Sequence, residues 1–279
     1  MQILSALKYN NKEVDKLMHF CSLYSGSSGN ALFVSAGGTK ILVDAGLSCK
    51  KIFSALESVG QNPAEISAIF ISHEHIDHVR GAGIISRKLD IPVYANENTW
   101  ARMITMIGNV SPENIKVFKT GEPLQHGGVK IHPFAIPHDA AEPVGFNFFA
   151  NDKKLTIATD IGHITEEFLS HVDGSDLILL EANHDLEMLR IGPYPYHLKR
   201  RIEGKHGHLS NDTASEIVAF LAERGTCRFI LGHLSKENNF PELAYLTMQN
   251  KLQAKNIVIG EDVLVEIACR DTVGRMLKV

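Results

Sequence analysis

The chain has 279 residues, a formal net charge of −4 and a pI near 6.4, with 44% hydrophobic and 22% charged residues. This composition is typical of a soluble globular protein and excludes intrinsic disorder, collagen and coiled coil as the main state. No run of about 18 uncharged apolar residues is present, so we expect no transmembrane helix. The N-terminal residues lack the features of a signal peptide, and we therefore expect a cytoplasmic protein.

The histidine content is the most unusual feature of the composition, with 14 histidines against one tryptophan. Histidine is the commonest metal ligand in proteins, so the positions of these residues guide the search for a site. The four cysteines lie far apart without a CxxC motif, and we expect free thiols rather than disulfides or a Cys-type zinc site. Because the net charge is slightly acidic, any polyanion must be bound by a local patch or by metal ions.

The first half of the chain predicts strands joined by tight turns and followed by helices. Strands are predicted at 19–24, 31–36, 40–46, 67–72 and 91–95, and helices at 48–60 and 79–90. The second half repeats this make-up. Strands are predicted at 129–136, 144–150, 154–160, 176–183 and 227–233 and as a closing pair within 256–268, and helices at 164–172, 211–225 and 240–256. Thr213 and Glu216 resemble a capping box at the start of the helix at 211–225.

No Pro/Gly/Ser-rich linker divides the chain, so we expect one domain at 18–279. Residues 1–17 are expected to form an N-terminal extension or a short surface helix. The fold class is α/β (α+β), with two packed sheets and helices on the outside.

The motif that carries the chemistry follows the strand at 67–72. His73, His75, Asp77 and His78 supply four metal ligands within six residues. Imidazole nitrogen and carboxylate oxygen are ligands that Zn²⁺, Mn²⁺ and Fe²⁺ accept. A turn at this point can direct the first two histidines towards one metal site and the other two residues towards a second. The alternative is a solvated loop that is rich in histidine by coincidence, and four ligands at a strand end favour the metal.

Further candidate ligands, His138, Asp160 and His233, follow later β segments. Loops at strand ends bring functional groups together, although each residue alone could equally be an ordinary hydrogen-bonded loop residue. With the first motif they supply seven ligands, enough for two metal ions, and the two oxygens of Asp160 could bridge them. Asp44 also ends a strand, where its carboxylate could accept a hydrogen bond from a ligand histidine.

This ordered series resembles the metallo-β-lactamase-fold hydrolases. The resemblance extends over almost the whole chain from Met18 onward and implies a four-layer αββα sandwich of two mixed β-sheets flanked by helices. It also implies a site for two divalent ions (Zn, Mn or Fe) at one edge of the sheets. By this resemblance, one ion is held by His73, His75 and His138, the other is held by Asp77, His78 and His233, and Asp160 bridges them.

Two further motifs narrow the resemblance. Glu181 and the segment 206–210 are similar to elements of RNase Z, which implies that Glu181 orients His208 and that His208 protonates the leaving oxygen. The alternative is a plain helix-entry histidine, with Ser210 or Asn211 as the helix cap. The RNase Z elements are only partly matched, and no long tRNA-binding arm is evident.

The segments at 21–35, 41–48 and 231–239 are similar to the YycJ/WalJ group, which is linked to 5′→3′ exonuclease activity on double-stranded DNA.

The resemblance therefore implies a metal-dependent phosphodiesterase, specifically a 5′→3′ exonuclease on double-stranded DNA. A hydroxide held between two metal ions would attack phosphorus, with Asp77, Glu181 and His208 as the catalytic residues. The alternatives are a small-molecule hydrolase of thioesters, lactones or cyclic nucleotides, and an RNA-processing nuclease on the same fold. A metal-bound redox enzyme and a non-catalytic metal-stabilised scaffold are disfavoured.

Three segments are candidates for contact with a nucleic acid. The loop at 25–30, with Ser27 and Asn30, could offer backbone N–H groups to a phosphate, or it could be a tight turn that braces the site. Ser210 is a candidate phosphate contact beside His208. The basic segment Lys199–Arg201 lies near two tyrosines and could bind DNA, although such a run is also typical of a solvated helix face.

Overall fold

The computed structural model describes residues 17–279, and within this range the strands form two seven-stranded sheets. The predicted N-terminal extension lies outside the described residues, apart from Leu17. The strands of the first sheet are β1 (His19–Tyr24), β2 (Ala31–Ala36), β3 (Thr39–Val43), β4 (Ala68–Phe70), β5 (Val93–Ala95), β6 (Ile115–Val117) and β14 (Leu277–Lys278). Their spatial order is β14-β1-β2-β3-β4-β5-β6.

The second sheet is built from the middle of the chain. Its strands are β7 (Leu124–His126), β8 (Val129–Ala135), β9 (Val144–Ala150), β10 (Lys153–Ala158), β11 (Leu177–Glu181), β12 (Arg228–Gly232) and β13 (Leu264–Ile267), in the spatial order β13-β12-β11-β10-β9-β8-β7. In each sheet an antiparallel set of four strands continues into three further parallel strands. This repeated plan explains why the two halves of the sequence have a similar make-up.

The helices lie on the outer faces of the two sheets. They are α1 (Cys49–Ser58), α2 (Ile76–Val79), α3 (Ala82–Leu89), α4 (Glu97–Ile107), α5 (Glu166–Val172), α6 (Leu186–Ile191), α7 (Tyr196–Ile202), α8 (Asn211–Ala222) and α9 (Pro241–Ala254). Single-turn 3₁₀ helices at Pro63–Glu65 and Pro112–Asn114 complete the connections. In the part of the chain that the structure describes, no helix is long and apolar enough to cross a membrane.

Alternation along the strands creates three apolar layers. In β3, Ile41 and Val43 pack in the cluster between the sheets, whereas Leu42 packs against the helices of the first sheet. In β11, Leu179 likewise faces the space between the sheets, and Leu180 packs with residues of α8 and α9. Successive side chains of a strand point to opposite faces, so each sheet is buried on both sides. The result is the predicted αββα sandwich.

Two predicted details are wrong. The cap of α8 is Ser210, whose Oγ accepts a hydrogen bond from the Thr213 N–H, and Glu216 instead pairs with Lys251 of α9. The predicted capping box therefore starts three residues too late. Within 256–268 only β13 forms a strand, because the first part of that segment makes a turn with a single bridge between Ile259 and Val263.

Candidate metal centre

The predicted ligands all lie at one edge of the sandwich. Strands β3 and β4 are parallel in the first sheet, and β8, β10, β11 and β12 run in a common direction in the second. Because the carboxyl ends of strands that share a direction meet at the same edge, the residues that follow these strands converge there. His78 from the first sheet and Asp160 from the second are 3.4 Å apart, between Nε2 and Oδ2.

Three of these strand-end residues adopt a left-handed backbone conformation. Asp44, Asp160 and His233 have φ angles of 58°, 62° and 56°. A non-glycine residue in this region is strained by about 1–3 kcal/mol and persists only where the surrounding structure enforces it. At each of these three positions the chain leaves a strand and turns a side chain into the site.

The first group of ligand atoms belongs to three histidines. His73 Nε2 lies 3.1 Å from His75 Nδ1, and the rings of both residues lie 5.2 Å from the ring of His138, between centroids. The ligand atoms of the three residues all lie within 4.8 Å of one another. Burial lowers the pKa of His73 and His138, so both imidazoles are held in the neutral form that binds metal.

The second group is arranged around His78 and Asp160. His78 Nε2 is 3.6 Å from Asp77 Oδ2, and His233 Nε2 is 3.3 Å from Asp160 Oδ1. The same Asp160 oxygen is 3.7 Å from His138 Nε2, so this carboxylate faces both groups. Its other oxygen is buried without a hydrogen-bond partner. A buried carboxylate oxygen without a partner, surrounded by imidazole nitrogens, fits a cation better than any group that the chain itself supplies.

The electrostatics of the site agree with this fit. Burial alone would raise the pKa of Asp160, but His233, His78 and His73 hold it well below its usual range. Burial would lower the pKa of His78, but the carboxylates of Asp44, Asp160 and Asp77 raise it to about 10. The acidic groups therefore attract positive charge into a buried space, which divalent ions would provide.

Asp44 and Ser72 contact the Nδ1 atoms of two ligand histidines, His78 and His73. Asp44 Oδ2 lies 2.8 Å from His78 Nδ1, which is the position that the sequence analysis expects for it. Ser72 Oγ donates to Asp44 and lies 3.0 Å from His73 Nδ1. Ser72 was not among the predicted site residues, although its place directly before His73 is a signal that could have identified it. Such contacts orient an imidazole so that its other nitrogen faces the metal.

Glu181 and His208 form a pair beside the two groups of ligands. Glu181 is fully buried, and its Oε1 lies 2.7 Å from His208 Nδ1. Its Oε2 accepts hydrogen bonds from the backbone N–H groups of Ile161 and Leu209, which lock the carboxylate in place. Burial would lower the pKa of His208, but Glu181 raises it to about 9, so the imidazole is protonated at neutral pH.

The three candidate phosphate contacts, Ser27, Asn30 and Ser210, lie in different surroundings around the site. Ser27 is exposed in the loop after β1, whereas Asn30 is buried with its Nδ2 3.0 Å from His78 Nε2 and its Oδ1 accepting from the Gly26 N–H. Asn30 therefore braces the loop against the site. Ser210 caps α8 and lines the cavity that contains His208.

Two contacts of His138 were missed by sequence reasoning. Asp139 Oδ1 lies 3.2 Å from His138 Nε2, and the other oxygen of Asp139 pairs with Arg201. The Gly207 carbonyl accepts from His138 Nδ1 at 3.0 Å. The position of Asp139 next to a predicted ligand is a usable signal, but nothing in the sequence connects Gly207 with a residue 69 positions away.

Comparisons with known proteins agree with this geometry. The family model described as "Beta-lactamase superfamily domain" matches residues 39–234. The exodeoxyribonuclease YycJ of Bacillus anthracis is 39% identical over 88% of this chain and 92% of its own length. The exodeoxyribonuclease WalJ of Streptococcus pneumoniae is 40% identical over 90% of this chain and 94% of its own length.

A solved structure supports the fold independently. The Zn²⁺-bound PqqB of Methylobacterium extorquens is 18% identical, and the alignment covers 94% of this chain and all of that one with a TM-score of 0.70. At this identity the likeness concerns the fold alone. With the family model and the two relatives, it confirms the fold and the resemblance predicted from the motifs. The chain therefore belongs to the metallo-β-lactamase superfamily, in the family that contains the YycJ and WalJ exodeoxyribonucleases.

Proposed function

We propose that the protein is a metal-dependent exodeoxyribonuclease that degrades double-stranded DNA in the 5′→3′ direction. The observation that carries the proposal is the convergence of seven ligand side chains from both sheets beside the Glu181–His208 pair. The activity named for two relatives at about 40% identity supports a DNA substrate. Cellular DNA as the substrate agrees with a cytoplasmic location.

The metal roles proposed here are those that the resemblance implies, and the grouping of the candidate ligand atoms supports them. In this proposal His73, His75 and His138 would hold one divalent ion, Asp77, His78 and His233 would hold the other, and the Asp160 carboxylate would be shared between them. Zinc, manganese and iron all suit this mixed set of nitrogen and oxygen ligands. Bound there, the ions would activate water for attack on phosphorus and neutralise charge on the non-bridging oxygens.

The chain's own residues supply the proton. Glu181 accepts a hydrogen bond from His208 Nδ1–H and keeps the imidazolium protonated at neutral pH. The side chain of His208 is 18% exposed, so its other nitrogen can reach a ligand in the cavity beside the ligand groups. We assign to His208 the donation of a proton to the leaving oxygen, and to Glu181 the positioning of that imidazole. Asp77 completes the catalytic set by holding the second ion.

The direct test is digestion of duplex DNA labelled at the 5′ or the 3′ end, with Mn²⁺, Mg²⁺ or Zn²⁺ added in turn. The wild-type protein should release nucleotides from the 5′ ends, and Asp160→Asn should abolish the release. Asp173→Asn, which removes a surface carboxylate paired with Arg224, is the matched control and should leave cleavage intact. Absence of cleavage by the wild type, or equal cleavage by Asp160→Asn, contradicts the proposal.

An RNA-processing nuclease is the second candidate, because the contact between Glu181 and His208 is the one that the resemblance to RNase Z implies. The same panel with labelled single-stranded and duplex RNA distinguishes the two functions. Preference for RNA ends over DNA ends supports the second candidate. Turnover of thioesters, lactones or cyclic nucleotides without cleavage of either nucleic acid would instead indicate a small-molecule hydrolase.

A further inference from the structure

A cavity of about 520 Å³ lies beside α7 on the surface of the second sheet's helical layer. Its walls carry three cations and an aromatic ring, from Arg190, Lys199, Arg200 and Tyr196, together with Glu203. Cavities of about 300–1,000 Å³ are the usual size of small-ligand sites. Tyr196 is 74% exposed, which is unusual for an aromatic side chain and leaves one face of its ring free to stack.

Helix α7 divides the basic run between two surfaces. Residues three or four positions apart share a helix face, so Tyr196, Lys199 and Arg200 line the cavity together. Arg201 points the other way and pairs with Asp139, next to the metal-ligand histidine His138. The basic segment is therefore divided: Lys199 and Arg200 line the cavity, whereas Arg201 pairs with Asp139 beside the candidate ligand His138.

The basic cavity adjoins the cavity that His208 lines. This second cavity has a volume of about 380 Å³, and Arg190 and Glu203 line both spaces. A chain that runs from His208 past these two side chains would reach the basic cavity. The two spaces therefore provide adjoining positions for successive units of one polymer.

The charges in the basic cavity suit a phosphate. Lys199 Nζ donates to the Arg190 carbonyl at 2.7 Å, which fixes the lysine at the wall, and Arg200 lies 6.0 Å from the centre of the Tyr196 ring. Arg190 is paired with Glu187 at 2.7 Å and lies 3.9 Å from Glu203, so one of the three cations is partly neutralised. Among the described residues, Lys199 and Arg200 form no ion pair with a carboxylate, unlike Arg190. Both can therefore contact a phosphate oxygen.

We infer that this cavity is a subsite for an unpaired nucleotide of the strand that is being cleaved, next to the nucleotide that His208 contacts. Lys199 and Arg200 bind its backbone phosphate, and its base stacks on Tyr196. The inference rests on the proposed nuclease function and adds to it the requirement that the strand separates from its complement near the cut. A paired base could not reach the ring without leaving its stack.

The test uses the full chain and single-stranded oligonucleotides that carry the fluorescent base 2-aminopurine at one position each, in buffer with a chelator so that cleavage is suppressed. Binding of the wild type should quench the fluorescence most strongly at a single position near the end. Tyr196→Ala should remove that quench and leave the other positions unchanged. Phe220→Ala, which removes another exposed aromatic ring stacked by an arginine, is the matched control.

The phosphate-binding role of the two cations is tested by the salt dependence of binding to the same oligonucleotides. The double variant Lys199→Ala/Arg200→Ala should reduce the slope of log K against log salt by about 0.7, because the one phosphate that these two cations bind is no longer neutralised. The double variant Lys251→Ala/Lys255→Ala changes the net charge equally on α9 and should leave the slope unchanged.

Quenching that is insensitive to Tyr196→Ala, or an equal reduction of the slope in both double variants, overturns the inference. Because binding is measured without cleavage, these results are independent of the digestion assay. A protein that cuts DNA but fails the binding test refutes the subsite alone. A protein that passes the binding test but does not cut DNA refutes the proposed activity.

Discussion

At the scale of single residues, the proposed proton donation depends on the contact between Glu181 and His208. Glu181 raises the pKa of His208 to about 9, whereas burial acts in the opposite direction. The protonated form of His208 is therefore fully present at neutral pH and is lost as the pH rises through about 9. A reaction that needs a proton from this residue must lose rate over the same range.

The first prediction concerns His208→Gln. We expect kcat for DNA cleavage to fall by about 10²–10⁴-fold, the usual contribution of a general acid, with the bound metal content unchanged. The remaining activity should lack the decline above about pH 9 that we expect of the wild type. His206→Gln, which changes an exposed histidine two positions away, is the control and should retain the wild-type profile. An unchanged alkaline decline in His208→Gln would mean that another group titrates.

The second prediction concerns Glu181→Gln. The amide keeps the shape of the side chain but removes the charge that raises the pKa of His208. We therefore expect the alkaline decline of kcat to move to lower pH, with KM changed much less than kcat. A kinetic pH profile measures the shift directly. If Glu181 had only a structural role, the variant would lose stability while the profile of the folded fraction stayed where it was.

The site residues differ in how far the sequence could predict them. The ligand candidates were identifiable because four lie in one short motif and three follow apolar runs, and the structure brings all seven together. Three other residues contact the ligand histidines through the fold and belong to no motif: Ser72, Asp139 and Gly207. Asn239 is a similar case, since its Nδ2 donates to the carbonyls of Ala182 and Asn183 more than 50 positions away and so ties the loop after β12 to the end of β11. No spacing in the sequence records such interactions.

At the scale of elements, the turn between α7 and α8 positions two of the site's histidines. A Cβ on Gly207 would lie 2.0 Å from the Ile202 carbonyl oxygen and 2.4 Å from that of Arg201, so this close approach requires glycine. The Gly207 carbonyl holds His138 Nδ1, and the next residue is His208. The apolar periodicity of α8 does not identify where the helix begins, because its N-cap is Ser210 at the end of this turn.

The third prediction follows from this turn. Gly207→Ala should lower the free energy of unfolding by about 1–3 kcal/mol, because the turn must open to admit the methyl group. It should also weaken metal binding, since the carbonyl that orients His138 moves with it. Gly60→Ala is the matched control, because the added Cβ meets no atom within 4 Å while the left-handed φ of 72° gives it a comparable loss of stability. Metal titration that fails to distinguish the two variants would contradict the prediction.

At the scale of the whole molecule, the candidate metal centre lies where the two halves of the sandwich meet. The ligands His73, His75 and His78 belong to the connection that follows β4 of the first sheet, whereas His138, Asp160 and His233 follow strands of the second. The pattern of strands and helices was sufficient to predict two sheets of similar make-up, because the inner strands bury both faces. It could not predict that β14 returns to pair with β1, which only the closed structure shows.

The fourth prediction is that metal removal loosens the connection between the sheets. Each ion that binds only the folded state stabilises it by about 2.7 kcal/mol at a free concentration of 100 times Kd, so two ions correspond to about 10–20 °C in Tm for a domain of this size. Chelation followed by scanning calorimetry should therefore lower Tm by that amount, and restoring Mn²⁺ or Zn²⁺ should recover it. Asp160→Asn should melt at a temperature that responds far less to chelator, because it lacks the carboxylate that faces both ligand groups. Equal chelator shifts in the wild type and Asp160→Asn would mean that the stabilising ions bind elsewhere in the chain.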